Sequence, residues 1–159
     1  MAGYDLSDAE ARTRSGLPEL PAPEPIDYQC DTEAPPHAVL VIENDVDIAR
    51  FLEELLTHEG FDVAIERDGP SGLERIAREE FDLIISEYVL PGLLGDEVFR
   101  RVRADGRSRT LPILMLTSMW EPVRLSGAMT AGADDYMLKP FDPVELTARA
   151  RAAIRRRAN

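Results

Sequence analysis

From residue 38 onward the chain alternates between two hydrophobic periods. HAVLVI is an unbroken apolar run, the pattern of a strand buried on both faces. Ile48, Phe51, Leu52, Leu55 and Leu56 then recur at i, i+3, i+4, i+7 and i+8, one apolar stripe along a helix. Gly60 stops that helix. FDVAI reads as a second strand, and PSGLERIAREE as a helix burying Leu73, Ile76 and Ala77. FDLIIS is a third strand, followed by GDEVFRRVRADG, a helix with Val98 and Val102 inward. LPILMLT is the fourth strand, and residues 123–131 form a helix rich in small residues. DYML is a short fifth strand, and PVELTARARAAIRRR a closing helix with Pro143 near its first turn and arginines in its last turns.

Five strands alternating with five helices predict an α/β fold, a doubly wound parallel sheet with right-handed crossovers. Residues 1–37 have another character and form an acidic N-terminal tail before a domain spanning 38–159. Six of the twelve prolines lie in that tail, with eight acids against two arginines. PELPAPEPID reads as extended, polyproline-like chain, and Ser7 to Glu10 carries a capping-box pattern for a short helix. Tyr4, Leu6, Leu17, Leu20, Ile26 and Tyr28 are scattered apolar anchors. Two readings fit: a solvated tail, or a peptide that orders on a partner or on its own domain.

Composition narrows the classes. At 159 residues, 44% apolar and 30% charged, the chain has the profile of one soluble domain. The start lacks the pattern of a secretion signal and no run is long enough to cross a bilayer, so a cytoplasmic location without membrane contact is expected. Cys30 is the single cysteine, which excludes an internal disulfide, and no Cys/His cluster has zinc spacing. The net charge of −12 predicts no direct nucleic-acid partner. The sequence also ends shortly after the last helix, which adds to that expectation.

In an open parallel sheet the ligand crevice lies at the carboxyl ends of the strands. Glu43-Asn44-Asp45 follow the first strand, Glu87 and later Gly95 the third, Thr117-Ser118 the fourth, and Lys139-Pro140 the fifth. Clustered carboxylates suit a hard divalent cation, and a hydroxyl with an ammonium suits phosphoryl oxygens. The simpler reading is that polar residues collect at loop starts in any α/β protein.

Over residues 38–156 the chain resembles response-regulator receiver domains. The matching segments are VLVIENDVDIARFLEELL, FDLIISEYVLPGLLGDEVFRRVR, LPILMLTS and AGADDYMLKPFDPVELTARARAAIRR. The resemblance implies a flavodoxin-like sheet of order 2-1-3-4-5. It also implies an acidic pair holding Mg2+, a phosphate-accepting Asp after strand three, a Thr or Ser after strand four and a Lys after strand five. Glu43 and Asn44 fall on the acidic pair, Glu87 on the phosphoacceptor, and Thr117 and Lys139 on the phosphate contacts. Pro140 falls on a proline commonly joined through a cis bond, and Tyr136 on an aromatic that rotates inward on activation. GADDYMLKPF is similar to winged-helix regulators of this family.

Two positions depart from the pattern. Acyl-phosphate chemistry needs an Asp oxygen in line with the leaving group and a metal that neutralises the phosphoryl oxygens. Mg2+ demands near-octahedral ligands at about 2.0–2.1 Å. Glu87 is one methylene too long, and Asn44 removes a charge from the metal pocket. An atypical pseudo-receiver is therefore expected, non-enzymatic, with Mg2+ weakly bound or absent and no resident metal or other cofactor. Glu87 is expected to reach toward Lys139 and Thr117, and either biases the domain to an active-like surface or is merely tolerated.

Met119 and Trp120 follow strand four, where the family has polar residues. Trp120 reads as an interface anchor or as a cover over the altered site. The face of the fourth helix, fifth strand and fifth helix, the family's usual dimer surface, offers Asp134, Asp135, Arg149 and Arg151, compatible with a homodimer. Four function classes follow. The first is a stand-alone receiver acting by phosphorylation-independent protein–protein interaction in signalling or transcription. The others are a phosphorylated two-component relay, the receiver portion of a DNA-binding regulator, and, remotely, a flavin or nucleotide domain. The last lacks a Gly-rich loop after strand one.

Overall fold

The computed structural model describes residues 34–159. The expected helix at Ser7–Glu10, the PELPAPEPID stretch and Cys30 lie outside the described residues. The elements are β1 (Ala38–Ile42), α1 (Val46–His58), β2 (Asp62–Glu66), α2 (Gly69–Arg78), β3 (Leu83–Ser86), α3 (Gly95–Ala104), β4 (Ile113–Thr117), α4 (Pro122–Ala131), β5 (Asp135–Leu138) and α5 (Pro143–Ala158). The sheet is parallel, in the order β2-β1-β3-β4-β5. That is the architecture the hydrophobic periods and the resemblance predict.

Strand alternation divides the core into two layers. Leu40, Ile42, Ile84, Ile113 and Met115 point to one side and pack against Val98, Phe99 and Val102 of α3 and Leu125, Ala128 and Ala131 of α4, with Leu73 and Ile76 of α2 beside them. Val39, Val41, Leu83, Ile85, Leu114 and Leu116 point to the other side, against Leu52 and Leu56 of α1 and Leu146, Ala150 and Ile154 of α5. β1, β3 and β4 are thus covered on both faces, which is why their sequences are continuously apolar. Side chains of Asp45, Asp68 and Asp142 cap α1, α2 and α5.

Two helical stripes sit at a different phase than expected. In α1 the buried positions are Ala49, Leu52 and Leu56, while Phe51 is 45% exposed and lies 5.9 Å, centroid to centroid, from Phe141. In α2, Ala77 is exposed, because glycines replace it at the contact. Gly69 and Gly72 are buried, and a Cβ on Gly72 would meet Ile42 Cδ1 at 2.5 Å. The helix lies so close to β1 that its inward row is Gly69, Gly72, Leu73 and Ile76.

Candidate functional site

Sheet geometry carries three polar side chains into one buried place. The N–H of Glu43 donates to Glu66 O (3.0 Å), so Glu43 continues the β1–β2 pairing by one residue. The N–H of Glu87 donates to Ile42 O (2.9 Å), placing Glu87 directly beyond β3 beside β1. The N–H of Lys139 donates to Thr117 O (2.8 Å), which ties the end of β5 to the end of β4. The Lys139–Pro140 peptide is cis, as the resemblance implies.

The Lys139 ammonium lies between the two carboxylates, 2.5 Å from Glu43 Oε2 and 2.7 Å from Glu87 Oε2. Side-chain exposure is 10% for Lys139, 2% for Glu43 and 8% for Glu87, so water screens these contacts little. Burial pulls the Lys139 pKa down, but hydrogen bonds and charge from Glu43 and Glu87 outweigh it and hold the value above that of an ordinary lysine. The other two oxygens are engaged as well. Glu43 Oε1 accepts from Asp45 N (3.0 Å). Glu87 Oε1 accepts from Tyr88 N (2.6 Å) and Val89 N (3.2 Å). All four carboxylate oxygens therefore have N–H partners. Gly95 lets the β3–α3 loop fold back over the site, since a Cβ there would meet Tyr88 Cα at 2.9 Å and Glu87 O at 3.2 Å.

The remaining predicted residues are not all brought into this cluster. Asn44 is exposed. Thr117 is buried beside it, but its Oγ1 accepts from Met119 N (3.1 Å) and is not bonded to Glu87. The expected reach of Glu87 toward Thr117 is not made. Tyr136 is 39% exposed and so is not turned inward. Trp120 is 73% exposed and does not cover the site, whereas Met119 packs against the α3–α4 core. Of the four charged residues expected on one face, only Asp135 and Arg149 stay together, 2.8 Å apart, with Glu145 also on Arg149. Asp134 pairs with Arg103 of α3. Arg151 pairs with Glu59 and stacks over Phe61. Sequence reasoning missed Arg103, although its place one turn after buried Phe99 sets it at the rim of the inward face of α3.

A parallel 2-1-3-4-5 sheet with acids, a hydroxyl and a lysine at its carboxyl ends defines a receiver domain, and residues 39–151 match the response regulator receiver domain family. The chain belongs to that family. It is 41% identical over 118 residues to response regulator ArlR of Staphylococcus saprophyticus, covering 74% of this chain and 52% of the relative. The Staphylococcus aureus ArlR is 40% identical over the same length. The chain thus spans about half the length of these curated relatives. Among solved structures it is similar to a putative response regulator from Chloroflexus aurantiacus, with TM-score 0.73, 35% identity, and coverage of 76% of this chain and 98% of that one. It is also similar to the receiver domain of sensor histidine kinase PA1611 of Pseudomonas aeruginosa, solved with magnesium coordinated in its active-site cleft. There the TM-score is 0.71 at 28% identity, covering 75% and 98%.

The expectation that nucleic acid is excluded rested partly on where the sequence ends. The regulators it matches run to about twice the matched length, so that expectation is not supported. Among the described residues no helix is long and apolar enough to cross a membrane.

Proposed function

We propose that this receiver acts by phosphorylation-independent protein–protein interaction, with Glu87 and Lys139 occupying the site that a phosphoryl group and its metal would need. The observation that carries the reading is the Lys139 ammonium bound to both Glu43 and Glu87. Lys139, which the resemblance assigns to the phosphate, is already neutralised. The donor set suits magnesium poorly, because the Lys139 ammonium already neutralises one oxygen of each acid and Asn44 contributes no charge. A cation would have to compete with the lysine for both acids.

The surface is that of the resting domain rather than an activated one. Tyr136 stays outward and Thr117 is occupied by Met119 N, so the longer acid does not pull the hydroxyl and the aromatic toward it. A protein partner would read this surface, with Trp120 the most exposed aromatic among the described residues. A second reading, favoured by the match to regulators about twice as long, makes this chain the receiver portion of a DNA-binding transcription regulator.

The test is incubation of the full chain with Mg2+ and acetyl phosphate, followed by intact mass. Wild type should gain no adduct of about 80 Da, while the N44D/E87D double variant should gain one. An adduct located on Glu87 of the wild type would establish an ordinary relay.

A further inference from the structure

At the amino-terminal ends of β4 and β5, the opposite end of the sheet from Lys139, lies a second polar cleft. Its volume is about 250 Å³, and it is lined by Thr110 and Pro112 before β4, Asp134 before β5, and Ala153, Arg156 and Arg157 in the last turns of α5. Pro112 and Ala153 are buried, whereas Thr110, Arg156 and Arg157 are exposed at its rim.

Arg103 of α3, outside the cleft, sets its chemistry. Nη1 of Arg103 donates to Arg109 O (3.1 Å) and Leu111 O (2.6 Å), which braces Thr110 from both sides. Nη2 of the same guanidinium donates to Asp134 Oδ2 (2.7 Å), and Ile113 N donates to that oxygen as well (2.7 Å). The one acid lining the cleft is thereby paired. Arg156 and Arg157 have no acid partner among the described residues. Arg157 is steadied by a hydrogen bond from Nη1 to Phe81 O (2.7 Å), which engages one of its five N–H groups. The helix dipole accounts for arginines in the last turn of α5. It does not account for a braced hydroxyl facing them from another loop, or for the pairing of the only acid between them.

We propose that this cleft binds a phosphomonoester, with the guanidinium groups of Arg156 and Arg157 and the hydroxyl of Thr110 donating to its three terminal oxygens. Two cations match a phosphate charge of roughly −1.5 to −2, and planar guanidinium forks suit phosphate oxygens. A carboxylate brings one charge and two oxygens, and so uses less of the site. The volume lies below the roughly 300 Å³ at which sites for drug-sized ligands begin, so the phosphate enters and the esterified group stays outside. The site is separate from Glu87 and Lys139 and does not rest on how they are read.

Two-dimensional amide NMR of the full chain, titrated with methyl phosphate at neutral pH and constant ionic strength, tests it. Saturable shifts are expected at Thr110, Leu111, Ile113 and Ala153, with far smaller ones from acetate. Arg156→Gln and Arg157→Gln should each weaken binding roughly tenfold, and Thr110→Val, which keeps the shape and removes the hydroxyl, several-fold. Arg156 and Thr110 are exposed, so those two variants are expected to fold even if R157Q, which loses its bond to Phe81 O, does not. Shifts that rise without saturating, equal shifts from acetate, or unchanged affinity in R156Q and T110V would overturn the proposal. So would shifts confined to Tyr88 and Thr117, which would place the ligand at the Lys139 site instead. Inorganic phosphate should bind no more tightly than methyl phosphate; a clear preference for the free ion would overturn the assignment to an ester.

Discussion

Replacing Lys139 by Met probes the site most directly. Met keeps the unbranched shape and removes the charge, leaving Glu43 and Glu87 buried without their shared cation. The three side chains are 10%, 2% and 8% exposed, so screening by water is slight. Removing one partner of a buried ion pair costs about 3–5 kcal/mol, mostly through the charge left behind. A small domain has about 5–15 kcal/mol in total, so the variant should still fold. With a urea slope of roughly 2 kcal/mol/M, a loss of about 4 kcal/mol lowers the midpoint by about 2 M. Far-UV circular dichroism is the right signal, because the only tryptophan, Trp120, is already 73% exposed in the native state. Combining K139M with E87Q should cost less than the sum of the two single changes by at least about 1 kcal/mol. A midpoint shift below about 0.5 M in K139M, or strict additivity in the double variant, would refute the reasoning.

Two further outcomes follow from the same geometry. The raised pKa of Lys139 means that its stabilising charge is fully present below the ordinary lysine value of 10.5 and is lost as pH climbs through the higher folded value; the urea midpoints of wild type and K139M should therefore converge in that alkaline range, and a constant gap would contradict this. Gly95→Ala sets a Cβ against the Tyr88 backbone at 2.9 Å and Glu87 O at 3.2 Å, which should cost about 1–3 kcal/mol and lower Tm by several degrees in a thermal melt.

The strands were legible because β1, β3 and β4 are apolar on both faces, and the order of elements followed from their alternation. Phase within helices was less so. Phe51 looked like a core residue by spacing, yet Ala49 takes the core and Phe51 lies at the rim beside Phe141. Ala77 counted toward an apolar stripe, yet the contact in α2 is made by Gly69 and Gly72, which carry no hydrophobic signal. At the site, spacing after each strand named Glu43, Glu87, Thr117 and Lys139, but not who holds whom. Lys139 and Glu43 are 96 residues apart in sequence, and only the sheet brings them to 2.5 Å. Surface charges were least legible: Asp134 and Arg151 carry signs that suit an interface, but their partners are Arg103 and Glu59 within the domain.

A lysine held between two permanent acids has one more consequence on the proposed reading. A conventional phosphorylated switch carries its own timer, since the signal ends when the acyl phosphate hydrolyses. Here nothing would decay, and the output would follow copy number through mass action with the partner. Control would then pass to synthesis and proteolysis of the chain, on the timescale of cell growth rather than of bond cleavage.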